Sequence, residues 1–245
     1  MALGGTFDDA GMNRLRGLAD HAAAAWREPD HGIWEMRSEP REHVHGKIMS
    51  WVALDRAMRL FPAEADRWRE AREAIVHEVR RRGIDPEGGY LLQALDHPGT
   101  TDAAVLVAPA VGYPLEEETL VRTVEAIGAQ LRRGDYVRRY VDDDGLSGEE
   151  GGFLLCSFWL IDAYLALGRE REARAMYERL LADANDVGLY AEQIDPENRG
   201  LLGNFPQAFT HLGLIGSAIN LELFAAGGRD ALTGGHAERA RRRLP

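Results

Sequence analysis

The feature that most limits what this chain can fold into is the spacing of its connections. Helical periodicity recurs over residues 9–28, 43–61, 64–82, 101–111, 116–133, 150–167, 170–185 and 205–226, and almost nothing alternates as a strand would. The connections at 62–63, 112–115 and 168–169 are tight, whereas those at 29–42, 83–100, 134–149 and 186–204 are long. Short and long strictly alternate. Tightly joined helices run antiparallel, so every second connection falls on the same end of the assembly, and all four long loops are predicted to share one face. Loops longer than about 12 residues inside a compact domain are usually functional. The predicted active face therefore carries Trp34, Glu35, Tyr90, Arg139, Glu149, Glu150, Glu192 and Gln193.

The helices also alternate in character. Segments 64–82, 116–133 and 170–185 are amphipathic and charged, as in RWREAREAIVHEVRRR, while AAVLVAPAV and FLLCSFWLIDAYLALG are apolar nearly all round. FPQAFTHLGLIGSAINLEL is broadly apolar at Phe205, Phe209, Leu212, Ile219 and Leu223. Two layers of helices, a buried inner one and a half-wet outer one, produce this alternation, and the expected class is all-α. Residues 1–233 form the expected domain, and GGHAERARRRLP, 234–245, reads as a basic tail.

The net charge of -11 opposes sustained binding to phosphate backbones or anionic lipid, so neither nucleic acid nor a membrane is an expected partner. The one cysteine, Cys156, excludes an internal disulfide and any multi-cysteine metal site, and its apolar surroundings predict a buried, inert thiol. No apolar run reads as long enough for a membrane span, and the N-terminus lacks a signal-peptide layout. A soluble cytoplasmic protein without a cofactor is the expectation.

Two carboxylates stand beside uncharged or aromatic residues in long loops: Glu35 in GIWEMR and Glu192 in GLYAEQID. Cleaving a glycosidic bond takes one carboxylic acid to protonate the leaving oxygen and one carboxylate to activate water or attack carbon. An indole packed on Glu35 is expected to desolvate it and keep its proton available near neutrality, while Glu192 stays ionised. His43 and His45 flank Val44 at a helix start, but an i, i+2 pair points two ways on a helix, which disfavours a metal site. The acidic DDDGLSGEE fails as an EF-hand, since aligning Gly145 with the loop glycine puts Tyr140 and Gly151 at the first and last ligand positions. Asp102 reads as a helix N-cap.

The blocks GIWEMRSEPREHVHGKIMSWVALDRA, RRYVDDDGLSGEEGGFLLCSFWLIDA and ANDVGLYAEQIDPENRGLLGNFPQAFTHLGLI resemble, in order, three signature blocks of glycoside hydrolase family fifteen, the glucoamylases, glucodextranases and bacterial trehalases. The resemblance implies an (α/α)6 barrel that hydrolyses α-glucosides with inversion. It implies Glu35 as general acid and Glu192 as general base, with carboxyls roughly 6.5–9.5 Å apart to admit the attacking water. It also implies that Arg139 touches the sugar and that His45 and Lys47 line the pocket, with Gly46 standing where the family more often has a small hydroxyl residue. Trp34, Arg37, Tyr140, Glu150 and Gln193 complete the candidate substrate-binding positions.

Eight helices in 245 residues is about 31 residues each, so twelve would need about 370. The resemblance likewise starts near the fifth helix of the family barrel, and MALGGTFDDAGMNRLRGLAD reads as a run into a helix, with Met1 an internal methionine of a longer parent. An incomplete barrel is expected to leave apolar sides of its first and last helices uncovered. A small saccharide and either a second copy or a complementing N-terminal chain are the expected partners. Alternatives to hydrolysis are an isomerase or cyclase on the same scaffold, or a non-catalytic carbohydrate-binding or interaction protein.

Overall fold

A computed structural model describes residues 7–141 and 150–233. Glu149, the acidic segment 142–149 and the basic tail lie outside the described residues. The helices are α1 (Asp9–Ala25), α2 (Val44–Leu60), α3 (Asp66–Arg82), α4 (Ala108–Val111), α5 (Glu117–Gln130), α6 (Leu154–Ala166), α7 (Glu170–Leu181) and α8 (Ala208–Gly227). Among the described residues five two-residue strands accompany them: β1 (Arg132–Arg133) pairs with β2 (Tyr136–Val137), while β3 (Gly152–Phe153), β4 (Gln193–Ile194) and β5 (Leu201–Leu202) form an antiparallel sheet in that order.

Periodicity located every helix, with two local differences. The segment expected as one helix over 101–111 is a 3-10 turn, Ala103–Val107, followed by the single turn of α4. Pro109 has no N–H to give to a carbonyl one turn back, so a continuous α-ladder cannot pass through it, and Gly112, at φ 74, ends the segment in a left-handed cap. The helix expected from residue 150 begins at Leu154, because Gly151 and Gly152 cross close to neighbouring chain segments. A Cβ on Gly151 would stand 2.7 Å from the Ile194 carbonyl oxygen, and one on Gly152 would collide with Tyr136.

The two layers are present. Leu154, Phe158, Ile161 and Leu165 make α6 the most enclosed element, packed on α7, α8 and the 103–107 turn. The outer helix α3 buries only Trp68, Ile75 and Val79, one narrow stripe, and the Trp68 indole N–H donates to Asp20 of α1 at 2.9 Å. At the end opposite the long loops, the buried Asp55 of α2 accepts from Arg72 of α3 at 2.8 Å.

The long loops share a face, each touching the next. Leu95 N–H donates to the Glu42 carbonyl at 2.9 Å, joining the first loop to the second. Ala103 N–H donates to the Arg139 carbonyl at 2.9 Å, joining the second to the third, and the β3–β4 pairing joins the third to the fourth.

The ring of helices is open. Along α8, Phe209, Leu212, Ile215 and Ile219 are 61, 64, 54 and 48% exposed, and Leu18 of α1 is 61% exposed, as expected of an incomplete barrel. By length and composition Ala208–Leu232 is also apolar enough to cross a bilayer, which corrects the expectation that no run is. Thr210, His211, Ser217 and Asn220 break the apolar run on paper, but Glu222 is the one Asp, Glu, Lys or Arg between 208 and 228. Those interruptions face the protein: Thr210 donates to the Ala191 carbonyl at 2.9 Å, and Ser217 to the Phe158 carbonyl at 3.2 Å and Asp162 at 3.0 Å.

Candidate active site

The first long loop is a tight knot around Glu35. Asp30 and Arg41 exchange backbone hydrogen bonds of 2.8 and 2.9 Å at its neck, and Met36 N–H donates to the His31 carbonyl at 2.9 Å across its tip. Gly32 N–H donates to the Asp30 carboxylate at 2.6 Å and the His31 ring to the Met36 carbonyl at 2.8 Å. Within the tip Met36 is buried and Trp34 half-buried, while Glu35 between them is exposed. Glu35 has φ 51, a left-handed conformation that a glutamate adopts at a cost and that marks candidate functional positions.

The expectation that Trp34 shields the Glu35 carboxyl is therefore corrected, because neighbouring side chains diverge when one points out of the knot and the other in. Trp34 packs on Phe153 at 5.3 Å and Trp159 at 6.0 Å between ring centroids. Its indole N–H reaches both oxygens of Asp102, at 3.0 and 2.9 Å. The carboxyl that this neighbourhood desolvates is Asp102: burial pushes it up to about 7, opposed by the Ala104 and Trp34 N–H donors and Arg139. Asp102 is also the expected cap, accepting from Ala104 N–H at 2.7 Å. The second role escaped the sequence, since its partner lies 68 positions away.

Arg139 lies over three rings, 5.5 Å from Trp34, 5.1 Å from Tyr140 and 5.4 Å from Phe153, and pairs with Glu150. A half-buried guanidinium among aromatic faces is suited to a sugar, whose C–H faces stack on rings while its hydroxyls take N–H donors. Tyr140 itself is buried. A cleft of about 410 Å³ opens beside Glu150, lined also by Arg133, Arg138, Asp195 and Glu197.

Glu192 sits just before β4, and its carbonyl accepts from Leu154 N–H at 3.1 Å, one residue from Phe153. Phe153 thus bridges the Trp34 loop and the Glu192 loop. The Glu192 carboxylate is half-buried and accepts from Gln207 Nε2 at 3.1 Å, Asn204 N–H at 3.2 Å and Asn204 Nδ2 at 3.4 Å. Gln207 caps α8, so the carboxylate also faces the positive end of that helix. Gly203, at φ 71, must be glycine, because a Cβ there would collide with the Glu192 carboxylate. Asn204, Gln207 and Phe153 were not singled out from the sequence, although GNFPQ follows the Glu192 loop closely. Gln193 pairs across β4 with Phe153 and Leu202.

Other candidates separate. Arg37 is exposed on the same knot. Lys47 does not line an open surface: it is 1% exposed, donating to the Trp26 and Glu28 carbonyls at 2.7 and 3.0 Å, with Glu42 at 3.7 Å. It anchors the neck of the Glu35 loop because an ammonium taken out of water needs several acceptors. Burial outweighs Glu42 and Asp30 and holds its pKa below the usual lysine value.

His45 is lowered to about 4, first by burial, against the nearby Asp30. Its folded value lies below the unfolded 6.5, so its neutral form contributes stability above pH 6.5 that is lost as pH falls towards 4. His45→Gln is expected to recover roughly 2 kcal/mol of the acid-induced loss between pH 7 and 4.5, measured by urea unfolding at the two pH values. An unchanged pH dependence would contradict this. Among the described residues no group of three or more His, Cys, Asp or Glu could hold a metal ion.

A double layer of helices thus collects aromatic rings, an arginine and the carboxylates Glu35 and Glu192 on its loop face. Solved structures share the fold: a wild-type glycosidase superposes with TM-score 0.68 at 20% identity over 82% of this chain and 57% of its own, and a glycosidase in complex with glucose with TM-score 0.70 at 19% identity. The model of glycosyl hydrolases family 15 matches residues 6–219, and the chain belongs to that family. A trehalase of Mycolicibacterium smegmatis is 41% identical over 216 residues, 84% of this chain and 32% of its own length. One of Thermoplasma acidophilum is 38% identical over 204 residues, 80% of this chain and 35% of its own. The chain spans about a third of the length of these relatives.

Proposed function

We propose that this chain supplies the catalytic carboxylates and part of the sugar pocket of an inverting α-glucoside hydrolase whose favoured substrate is trehalose. One observation carries the reading: Glu35, held exposed in a left-handed turn, shares a face with Glu192, and Phe153 links their loops. Membership of the family supports hydrolysis, and relatives named trehalases at 38 and 41% identity favour trehalose over malto-oligosaccharides and isomalto-oligosaccharides.

In this mechanism Glu35 gives its proton to the glycosidic oxygen as the bond from C1 breaks. Glu192 takes a proton from a water that attacks C1 from the opposite face, so the configuration at that carbon inverts. Asn204 and Gln207 keep the Glu192 carboxylate aimed, and Arg139 with its rings holds the sugar.

The pocket is completed by further helices that pack on the apolar stripe of α8, supplied by the same protein or by a complementing chain. The solved glycosidases are longer than the part this chain covers, which supports that arrangement over a second copy. Leu212→Asp with Ile215→Asp is expected to leave unfolding of this chain within about 0.5 kcal/mol, since both positions are already in water. The same pair is expected to abolish glucose release from trehalose in the assembled enzyme. Full activity with the stripe charged would rule out that docking surface.

A further inference from the structure

Asp102, 3% exposed, lies where two parts of the site meet, its carboxyl on Trp34 and the backbone that follows it on Arg139. Its oxygens take the Trp34 indole N–H, and the next residue, Ala103, donates its N–H to the Arg139 carbonyl. Arg139 closes the circuit with its guanidinium over the Trp34 ring. Capping the 103–107 turn requires an acceptor for Ala104 N–H alone; it does not require the indole contact. We propose that Asp102 is a positioning residue for the acid: by clamping Trp34 it sets where the adjoining Glu35 stands relative to Arg139. This rests on Glu35 being the acid, so its test carries a readout that needs no turnover.

The circuit makes the clamp rigid. Trp34 is held at its N–H by Asp102, over its face by Arg139, and by Phe153 and Trp159 packed against it at 66° and 40°, so the indole has one orientation while both oxygens accept from it. Glu35 follows Trp34 directly in the chain and has a φ that few alternatives share. A loosened indole therefore moves the acid, and misplacement of a reacting group by about 1 Å is enough to cost on the order of 100-fold in rate. The charged or titratable groups around Asp102 are Arg139, Glu150 and Cys156, from the third loop and α6.

The experiment compares Asp102→Asn, which keeps one acceptor oxygen, and Asp102→Ala with the parent protein. The Trp34 indole N–H resonance, assigned by its loss in Trp34→Phe, is expected to shift in both variants and to lose its exchange protection in Asp102→Ala. In the assembled enzyme kcat is expected to fall about 10-fold to 100-fold in Asp102→Ala and less in Asp102→Asn, with KM changed far less. Adding Asp102→Ala to Trp34→Phe is expected to cost little further, because the group through which Asp102 acts is already gone. An unmoved indole resonance in Asp102→Asn overturns the clamp whether or not the enzyme turns over. A cost that simply adds to that of Trp34→Phe reduces Asp102 to a cap and also overturns it.

Discussion

Glu192→Gln is expected to lower trehalose turnover by a factor on the order of 10²–10⁴, and Glu35→Gln by a comparable factor, the range that a positioned general acid or base contributes. The substitutions remove proton transfer while leaving size and most hydrogen bonds in place. Glu192 accepts from Gln207 and Asn204, and a Gln there keeps one oxygen for them, so the loop stays built. Glu35 is exposed in a turn held by its neighbours' backbones, so Gln there leaves folding intact. KM should change little, because in the proposed pocket Arg139 and its rings hold the sugar. Thermal unfolding of both variants beside their kinetics separates loss of chemistry from loss of fold, and turnover retained in both would remove the two-carboxylate mechanism.

Lys47→Met is the second large effect, and it separates two roles for one residue. If Lys47 touched sugar, its loss would raise KM and leave unfolding alone. The structure instead wraps it in the Trp26 and Glu28 carbonyls with Glu42 beside it. Methionine fills the space but donates nothing, stranding acceptors out of water at a cost of about 3 kcal/mol. Arg82 still holds Glu42 at 2.9 Å, which keeps the cost from growing further. For a chain of this size that is a fall in Tm of roughly 6–12 °C. An unchanged Tm with a raised KM would return Lys47 to the pocket.

The helices and their arrangement were legible because an apolar repeat of 3.6 residues persists over several turns and because the parity of short and long connections decides which loops meet. The five strands among the described residues were not, since two residues carry no period, and β3 lies where Gly151 and Gly152 let the chain pass close to Ile194 and Tyr136. Apolar content alone hid the break at Pro109, which splits 103–111 into a 3-10 turn and a single α turn. In the site, adjacency misled: Trp34 and Glu35 are neighbours in sequence, and the left-handed turn at Glu35 sends one inward and the other outward. The indole's partner, Asp102, carries no local sign of that contact, just as nothing beside Lys47 in sequence shows the two carbonyls that surround it. Long-range hydrogen bonds of this kind exist only once the loops are assembled.

Trehalose joins two glucose units through α bonds at both C1 carbons, so the configuration of its products reports the mechanism directly. Proton NMR of the first minutes of hydrolysis by the assembled enzyme, before mutarotation, is expected to show α-glucose and β-glucose in equal amounts, one carbon inverted by water opposite Glu35 and one untouched. α-Glucose alone would mean retention at the attacked carbon and would contradict the assignment of Glu192 as the base for water.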